Sequence, residues 1–353
     1  MLTRVSLFFA LALVLHAANP NIIYILADDQ GYGDVGAFNP ESKIATPNLD
    51  RLAGDGMRFT DAHSSSSVCT PTRYSVLTGR YHWRTRLQSG VLGGFSKHLI
   101  APERMTVASL LRENGYATAC IGKWHLGMDW PLKAGGFANT GNADGDTIDF
   151  AGRIVNGPIA NGFDYFFGIS ASLDMPPYLY IENDRATAIP NEQMSRGRKG
   201  PKHSDFTLEG VLPDVTAKTV EVIGQRAKKD KPFFIYMPLN APHTPIVPVA
   251  EFAGKSGINR YADFVMQIDH SVGQVMAALD AHKIAENTLI IFTTDNGCSP
   301  AARIPELQAK GHEPSYIYRG HKADIFEGGH RVPFIARWPA KVAAGSSSDA
   351  LVG

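Results

Sequence analysis

Along the chain, continuous apolar runs alternate with amphipathic stretches that open on a capping residue and close on glycine. "NIIYILADD", Asn21 to Asp29, is apolar until its acidic end. Without polar alternation such a run reads as a strand covered on both faces, as in a parallel sheet. "TPNLDRLAGDG" then places Thr46 as N-cap, Pro47 at the first helical position and glycines at the end, so a helix follows. The pairing recurs: a helix over 107–113 before "YATACIG", one over 214–227 before "PFFIYMPL", one over 259–281 before "TLIIFTTDNG". This alternation predicts an α/β fold, a mostly parallel central sheet sandwiched by helices. The stretch 130–213, rich in Gly, Asn, Asp and Pro, predicts long loops over the edge where strands end. Nothing in it reads as a linker, so the chain is expected to form one large domain.

Residues 1–17, "MLTRVSLFFALALVLHA", join one Arg, a compact apolar core and small residues at the end. That is the pattern of a cleaved signal peptide, and the apolar run is shorter than the roughly 20 residues a spanning helix needs. The mature chain is therefore expected to be exported, periplasmic or secreted, and free of the membrane. At 44% hydrophobic and 19% charged residues the chain can bury a large core, which excludes the disordered and fibrous classes. Its 34 basic and 34 acidic residues cancel, which argues against nucleic acid or a membrane surface as partner. Three cysteines are too few for a disulfide-built scaffold.

The candidate chemistry sits where strands end. Asp28 with Asp29, and Asp295 with Asn296, each close an apolar run, and open α/β sheets bind ligands at the carboxyl ends of their strands. Either pair alone also suits a turn or a helix cap. Three carboxylates converging there would repel one another unless a cation lay between them, and hard oxygen donors favour Ca²⁺ or Mg²⁺ over zinc. In "SSSSVCTPTRYSVLTGR", Thr70 and Pro71 read as the N-cap and first residue of a helix that stops at Gly79. Cys69 then lies at a helix N-terminus, where an anion is favoured, with Arg73 in the first turn able to reach back to it. As a plain residue Cys69 could be a buried thiol, or pair with Cys120 or Cys298.

"CTPTR" resembles the C-x-P-x-R signature of the type I sulfatases, in which the cysteine is oxidised after translation to formylglycine. "ADDQGYGDVG", "TPNLDRLAGDGMRFTDAH", "LTGRY", "IGKWHLG", "APHTP", "TTDNG" and "EGGHRVPFIARWPA" resemble that family in the same order, through most of the chain. The resemblance implies an alkaline phosphatase-like fold and a catalytic domain over 18–353. The family's usual small C-terminal subdomain is missing after "SSSDALVG", so the domain reads as C-terminally truncated. It further implies a Ca²⁺ ion, or Mg²⁺ in its place, held by Asp28, Asp29, Asp295, Asn296 and the modified Cys69. Sulfate contacts from Lys123, His125, His243 and Lys322 are implied too, with Arg73 holding the nucleophile and a formylglycine-generating enzyme as maturation partner.

The residues agree with these roles. Lys123 and His125 are two apart, so an extended backbone aims both at one side. His243 follows a strand between prolines, a posture suited to a general acid. A hydrated aldehyde has two hydroxyls on one carbon, so one can attack sulfur while deprotonation of the other later ejects sulfate. The expected activity is hydrolysis of sulfate esters on a sulfated small molecule or carbohydrate, with "SLDMPPYLYIEND" (172–184) either a sugar subsite or an ordinary surface loop. His330 in "GGHRVP" reads as structural or peripheral. Two other functions stay open: a phosphomonoester or phosphodiester hydrolase of the same superfamily, and a non-catalytic binder of sulfated glycans should Cys69 stay unmodified.

Overall fold

Twelve strands are present among the described residues. They are β1 (Asn21–Asp28), β2 (Met57–Phe59), β3 (Ala117–Lys123), β4 (Tyr165–Ile169), β5 (Ile181–Glu182), β6 (Arg185–Ala186), β7 (Glu192–Met194), β8 (Gly200–Lys202), β9 (Phe233–Pro242), β10 (Thr288–Thr294), β11 (Phe334–Arg337) and β12 (Ser346–Ser348). The α-helices are α1 (Pro47–Gly54), α2 (Cys69–Thr78), α3 (Val107–Glu113), α4 (Val211–Arg226), α5 (Arg260–Ala281), α6 (Ile304–Ala309) and α7 (Glu327–His330). This computed structural model describes residues 19–195 and 197–353; the signal peptide expected over 1–17 lies outside the described residues.

Ten strands form one sheet in the order β12-β2-β11-β10-β1-β9-β3-β4-β5-β6, and β7 pairs with β8 apart from it. The centre, β10-β1-β9-β3-β4, is parallel throughout. Antiparallel pairings occur only towards the edges. The unbroken apolar runs have a direct cause, because alternate residues of β1, β3 and β9 enter two different cores. Ile23, Ile25 and Ala27 of β1, with Phe233 and Ile235 of β9, pack beneath α1, α4 and α5 through Leu49, Val215, Ile223, Phe264, Ile268 and Val272. Leu26, Phe234 and Tyr236 face the other way, onto Tyr74 and Leu77 of α2, Ala108 of α3, and Trp124 and Trp130. Each fully buried large apolar side chain contributes about 1.5–3 kcal/mol relative to exposure.

The structure departs from the sequence expectations at several places. The 130–213 stretch is not loop alone: it contains β4, which continues the parallel sheet beside β3, and the short β5 to β8. "YFFGI" is too brief to show a period and lies among turn residues. α4 begins at Val211 rather than 214, because Pro213 fits a first turn whose N–H groups have no intrahelical partner. Thr46 flanks α1 without capping it: its hydroxyl accepts from the Gly36 N–H at 3.0 Å. The cap comes instead from Asp269 on α5, whose carboxylate accepts from Asn48 and Leu49 N–H at 2.9 and 2.8 Å. α2 starts at Cys69 with Val68 as N-cap, and ends on left-handed Gly79 at φ 61°. Thr70, expected as that cap, instead accepts at its hydroxyl from Leu92 N–H.

Phe292 is fully buried in β10 on the α1/α4/α5 face. Phe292→Ala is expected to cost about 3–5 kcal/mol, read as a lowered urea midpoint at unchanged slope. A loss below about 1 kcal/mol would contradict that packing.

Candidate active site

Four adjacent parallel strands, β10, β1, β9 and β3, end on one edge of the sheet, so residues far apart in the chain leave it side by side. Ala27 pairs with Thr294, which puts Asp28 and Asp29 next to Asp295 and Asn296. Asp295 N–H donates to Ala27 O at 3.1 Å, and Asp29 N–H to Asp295 Oδ1 at 3.2 Å. Asp29 takes a left-handed turn at φ 65°, a conformation Asp tolerates better than most residues. Between Leu26 and Asp28 the register of β1 against β9 shifts. The extra length of β9 leaves Leu239 O free to accept from Arg73 and delivers His243 to the same edge.

Carboxylate oxygens of Asp28, Asp29 and Asp295 lie within 4.8 Å of one another, and all three residues are buried. Three like charges in so small a volume need compensation. Arg73 supplies one charge: its Nε and one terminal nitrogen donate to Asp295 Oδ2 at 3.0 and 2.8 Å, with Asp28 Oδ2 at 3.4 Å. The other terminal nitrogen donates to Lys123 O at 3.2 Å. Lys123 Nζ donates to Asp28 Oδ2, and Lys322 Nζ to Asp29 at 2.8 Å. Asn296 Nδ2 donates to Asp29 Oδ1 at 2.7 Å. Arg73 thus laces two carboxylates to the sheet, and its charge also acts on Cys69.

Two buried oxygens, Asp28 Oδ1 and Asn296 Oδ1, have no donor. Together with the Asp29 and Asp295 carboxylates they form an all-oxygen set of the kind Ca²⁺ or Mg²⁺ accepts, so the residues fit a hard divalent cation.

The ionisable groups show the strain of sharing this space. Burial alone would raise Asp28, but Lys123, His243 and Arg73 hold it well below the usual carboxylate range. Burial and the adjacent Asp28 charge push Asp295 up to about 7. Burial opposes the Lys322 ammonium, yet Asp29 beside it raises the group. Cys69, the first residue of α2, has its sulfur within 4.8 Å of an Asp28 oxygen and a His243 nitrogen. Burial pushes its thiol up to about 11, so it is protonated at neutral pH and, unmodified, a poor nucleophile. All three cysteines are free, which removes the disulfide alternative.

Each of the two histidines has one ring nitrogen on a backbone carbonyl. His125 sits at φ 56°, so strand alternation does not aim it beside Lys123 as the spacing suggested. Its Nε2–H donates to Leu92 O at 2.7 Å, which leaves buried Nδ1 a lone pair without a donor. Burial, then Lys123, keeps the ring neutral, well below its usual pKa. Nδ1 of the neutral ring is therefore an acceptor. His243 donates Nδ1–H to Thr244 O at 2.5 Å, so Nε2, 3.7 Å from Asp29 Oδ2, faces the carboxylates. Burial lowers its pKa and the Asp29 and Asp28 charges oppose that shift.

Residues 20–353 match the family model described as Sulfatase. The chain belongs to the sulfatase family. It is 36% identical to an N-acetylgalactosamine-6-O-sulfatase of Bacteroides thetaiotaomicron over 93% of this chain and 69% of that protein. It is 34% identical to human arylsulfatase A over 98% and 64%. A structure solved in a study of glycosaminoglycan metabolism by Bacteroides thetaiotaomicron superposes with a TM-score of 0.82 at 34% identity, covering 95% of this chain and 75% of that one. The chain therefore spans about two thirds of the length of such curated relatives, and its architecture is alkaline phosphatase-like.

This sulfatase-family site also rests on residues that local patterns do not mark. Tyr261 on α5 donates its hydroxyl to Asp34 and lies 3.1 Å from Asp29 O, while His312 Nε2 meets Asp34 Oδ1 at 2.8 Å. Asn240, buried in the irregular part of β9, has neither amide atom paired. Only tertiary contact joins such distant positions.

Replacing Arg73 by Met would leave Asp28 and Asp295 without their shared cation. The expected loss is about 3–5 kcal/mol in chelator and distinctly less in Ca²⁺, because an ion on the same oxygens offsets the missing charge. Equal losses in both buffers would show that these carboxylates do not hold an ion.

Proposed function

We propose that this chain hydrolyses sulfate esters, with sulfated carbohydrates as the substrate class. The observation that carries the reading is the convergence of Asp28, Asp29, Asp295 and Asn296 oxygens with Cys69, His243, Lys123 and Lys322 at one buried sheet edge. An oxygen cage beside two ammonium groups suits a small anion of tetrahedral shape. The named activity of the N-acetylgalactosamine-6-O-sulfatase relative supports a carbohydrate ester.

Asp28, Asp29, Asp295 and Asn296, with modified residue 69, are the residues that would hold Ca²⁺ or Mg²⁺. Such an ion supplies Lewis acidity at the sulfate oxygens, and formylglycine supplies a nucleophilic hydroxyl with a second one on the same carbon. Lys123 and Lys322 turn from their carboxylates to the sulfate oxygens and hold the charge that develops there. His243, carrying a second proton beside the Asp29 and Asp28 charges, would give it from Nε2 to the departing alcohol, and Asp295 would accept the proton of the attacking hydroxyl. His125, with Nδ1 unpaired, would accept the proton of a hydroxyl on the modified residue 69, the proton loss needed for sulfate to leave. Arg73 keeps Asp28 and Asp295 in place, and burial of the whole set excludes water that would screen these charges.

The chain is also proposed to be exported after loss of residues 1–17 and matured by a formylglycine-generating enzyme. Among the described residues no helix is long and apolar enough to cross a membrane.

Two measurements test the reading. In a host that does not modify serine, Cys69→Ser is expected to keep the fold and lose at least about 1,000-fold in kcat, since a single hydroxyl traps the sulfate ester. The intact peptide over 64–73 is expected to carry an aldehyde in the active wild type. Full turnover with an unmodified thiol would overturn the mechanism. In a panel of matched aryl sulfate, aryl phosphate and defined sulfated saccharides, preference for a saccharide sulfate is expected; a preference for phosphate would reassign the chain to phosphoester hydrolysis.

A further inference from the structure

We infer that His63, His330 and Glu327 form a second metal site, for a divalent transition metal of the zinc class. One ring nitrogen from each histidine and one Glu327 carboxylate oxygen lie within 4.8 Å of one another. The decisive contact is between the two rings, whose Nδ1 atoms face each other at 2.9 Å. His63 Nε2 lies 2.9 Å from Asp61 Oδ1, and His330 Nε2 lies 3.1 Å from Ile325 O.

Both Nε2 partners accept only, so each Nε2 carries the proton and each Nδ1 presents a lone pair. Two neutral rings then have lone pairs pointed at one another. Moving either proton to Nδ1 repairs that contact and breaks the one to Asp61 or to Ile325 O. Three hydrogen-bonded contacts need three protons on two imidazoles, so the geometry calls for one added positive charge. A metal ion between the Nδ1 atoms supplies it with both rings neutral.

The surroundings favour the metal over a third proton. An imidazole that ligates zinc usually donates its other N–H to a carboxylate or carbonyl, which fixes tautomer and ring orientation, and here both rings have such a partner. Arg331 donates from Nε to Glu327 Oε2 and places a terminal nitrogen 2.7 Å from Asp61 Oδ1. It so orients the third ligand and the outer carboxylate together. His63 and Glu327 side chains are 18% and 42% exposed, which leaves a side of the site open to water as a fourth ligand. Two nitrogens and a carboxylate are a zinc donor set, unlike the all-oxygen edge formed by Asp28, Asp29, Asp295 and Asn296.

The ion would fasten two segments that the backbone already brings together. Ser64 N–H donates to His330 O at 2.8 Å, and Ala323 N–H to Ser67 O at 2.9 Å. One segment runs into α2 and Cys69, the other carries Lys322. An ion there would tie the two segments together and set the spacing of these two residues. This inference stands on its own geometry and does not depend on the proposed reaction.

The test uses the whole chain, stripped with chelator, returned to excess Ca²⁺, and titrated with Zn²⁺ alone by calorimetry with elemental analysis. Wild type is expected to retain one equivalent of zinc. His330→Gln and His63→Asn are expected to weaken it at least about 100-fold, and Asp61→Asn about 10–100-fold. Cobalt in place of zinc is expected to show d–d bands without a thiolate charge-transfer band, a readout that needs no variant to fold. No retained zinc, retention unchanged in folded His330→Gln, or a charge-transfer band that assigns the ion to Cys69 would each overturn the site.

Discussion

Arg73 holds apart charges that would otherwise drive the sheet edge open. Its guanidinium is fully buried and bonds Asp295, Asp28, Lys123 O and Leu239 O at once. A lysine could neutralise one carboxylate there but could not fork between two of them and two carbonyls. Because Arg73 belongs to α2, the same residue that balances the acids fixes the helix whose first position is Cys69. Cys69, the clustered carboxylates and the sheet are thereby parts of one electrostatic unit, and the helix cannot move without exposing unpaired charge.

That unit depends on how closely the strands approach. A Cβ on Gly168 would lie 1.8 Å from Gly122 O, and one on Gly122 would lie 2.0 Å from Pro238 O. Gly122 also takes φ 138°, a value that suits glycine. β4, β3 and β9 can therefore meet without side chains between them just before Lys123. Any larger residue would push β3 outward and carry Lys123 away from Asp28.

Proton positions follow from backbone carbonyls. Leu92 O fixes His125 with an outward lone pair, and Thr244 O fixes His243 with Nε2 facing the acids. In both rings a loop carbonyl takes the N–H and leaves the other nitrogen as a lone pair, so His243 can donate from Nε2 only when the ring takes a second proton beside the Asp29 and Asp28 charges. The paired rings of His63 and His330 obey the same rule with carboxylate and carbonyl partners.

The parallel strands were legible in the chain because burial on both faces demands unbroken apolar runs, and β1, β3, β9 and β10 have them. The helices α3 and α5 were legible from their periodicity and ends, and the acidic pairs from their place after strands, since strand ends in such sheets are where ligands bind. β4 was not, because five residues among turns show no period. Nor was the Asp269 cap on α1, which comes from a helix more than two hundred positions away. The sequence by itself determined which residue types stand at the ends of which strands. Only the tertiary structure decided that Arg73 forks onto Asp295 and Asp28, that His125 keeps an unpaired Nδ1, and that His63 meets His330. Each of these depends on hydrogen-bond partners from distant segments, and a side chain's protonation and direction are set by those partners, not by its neighbours in the chain.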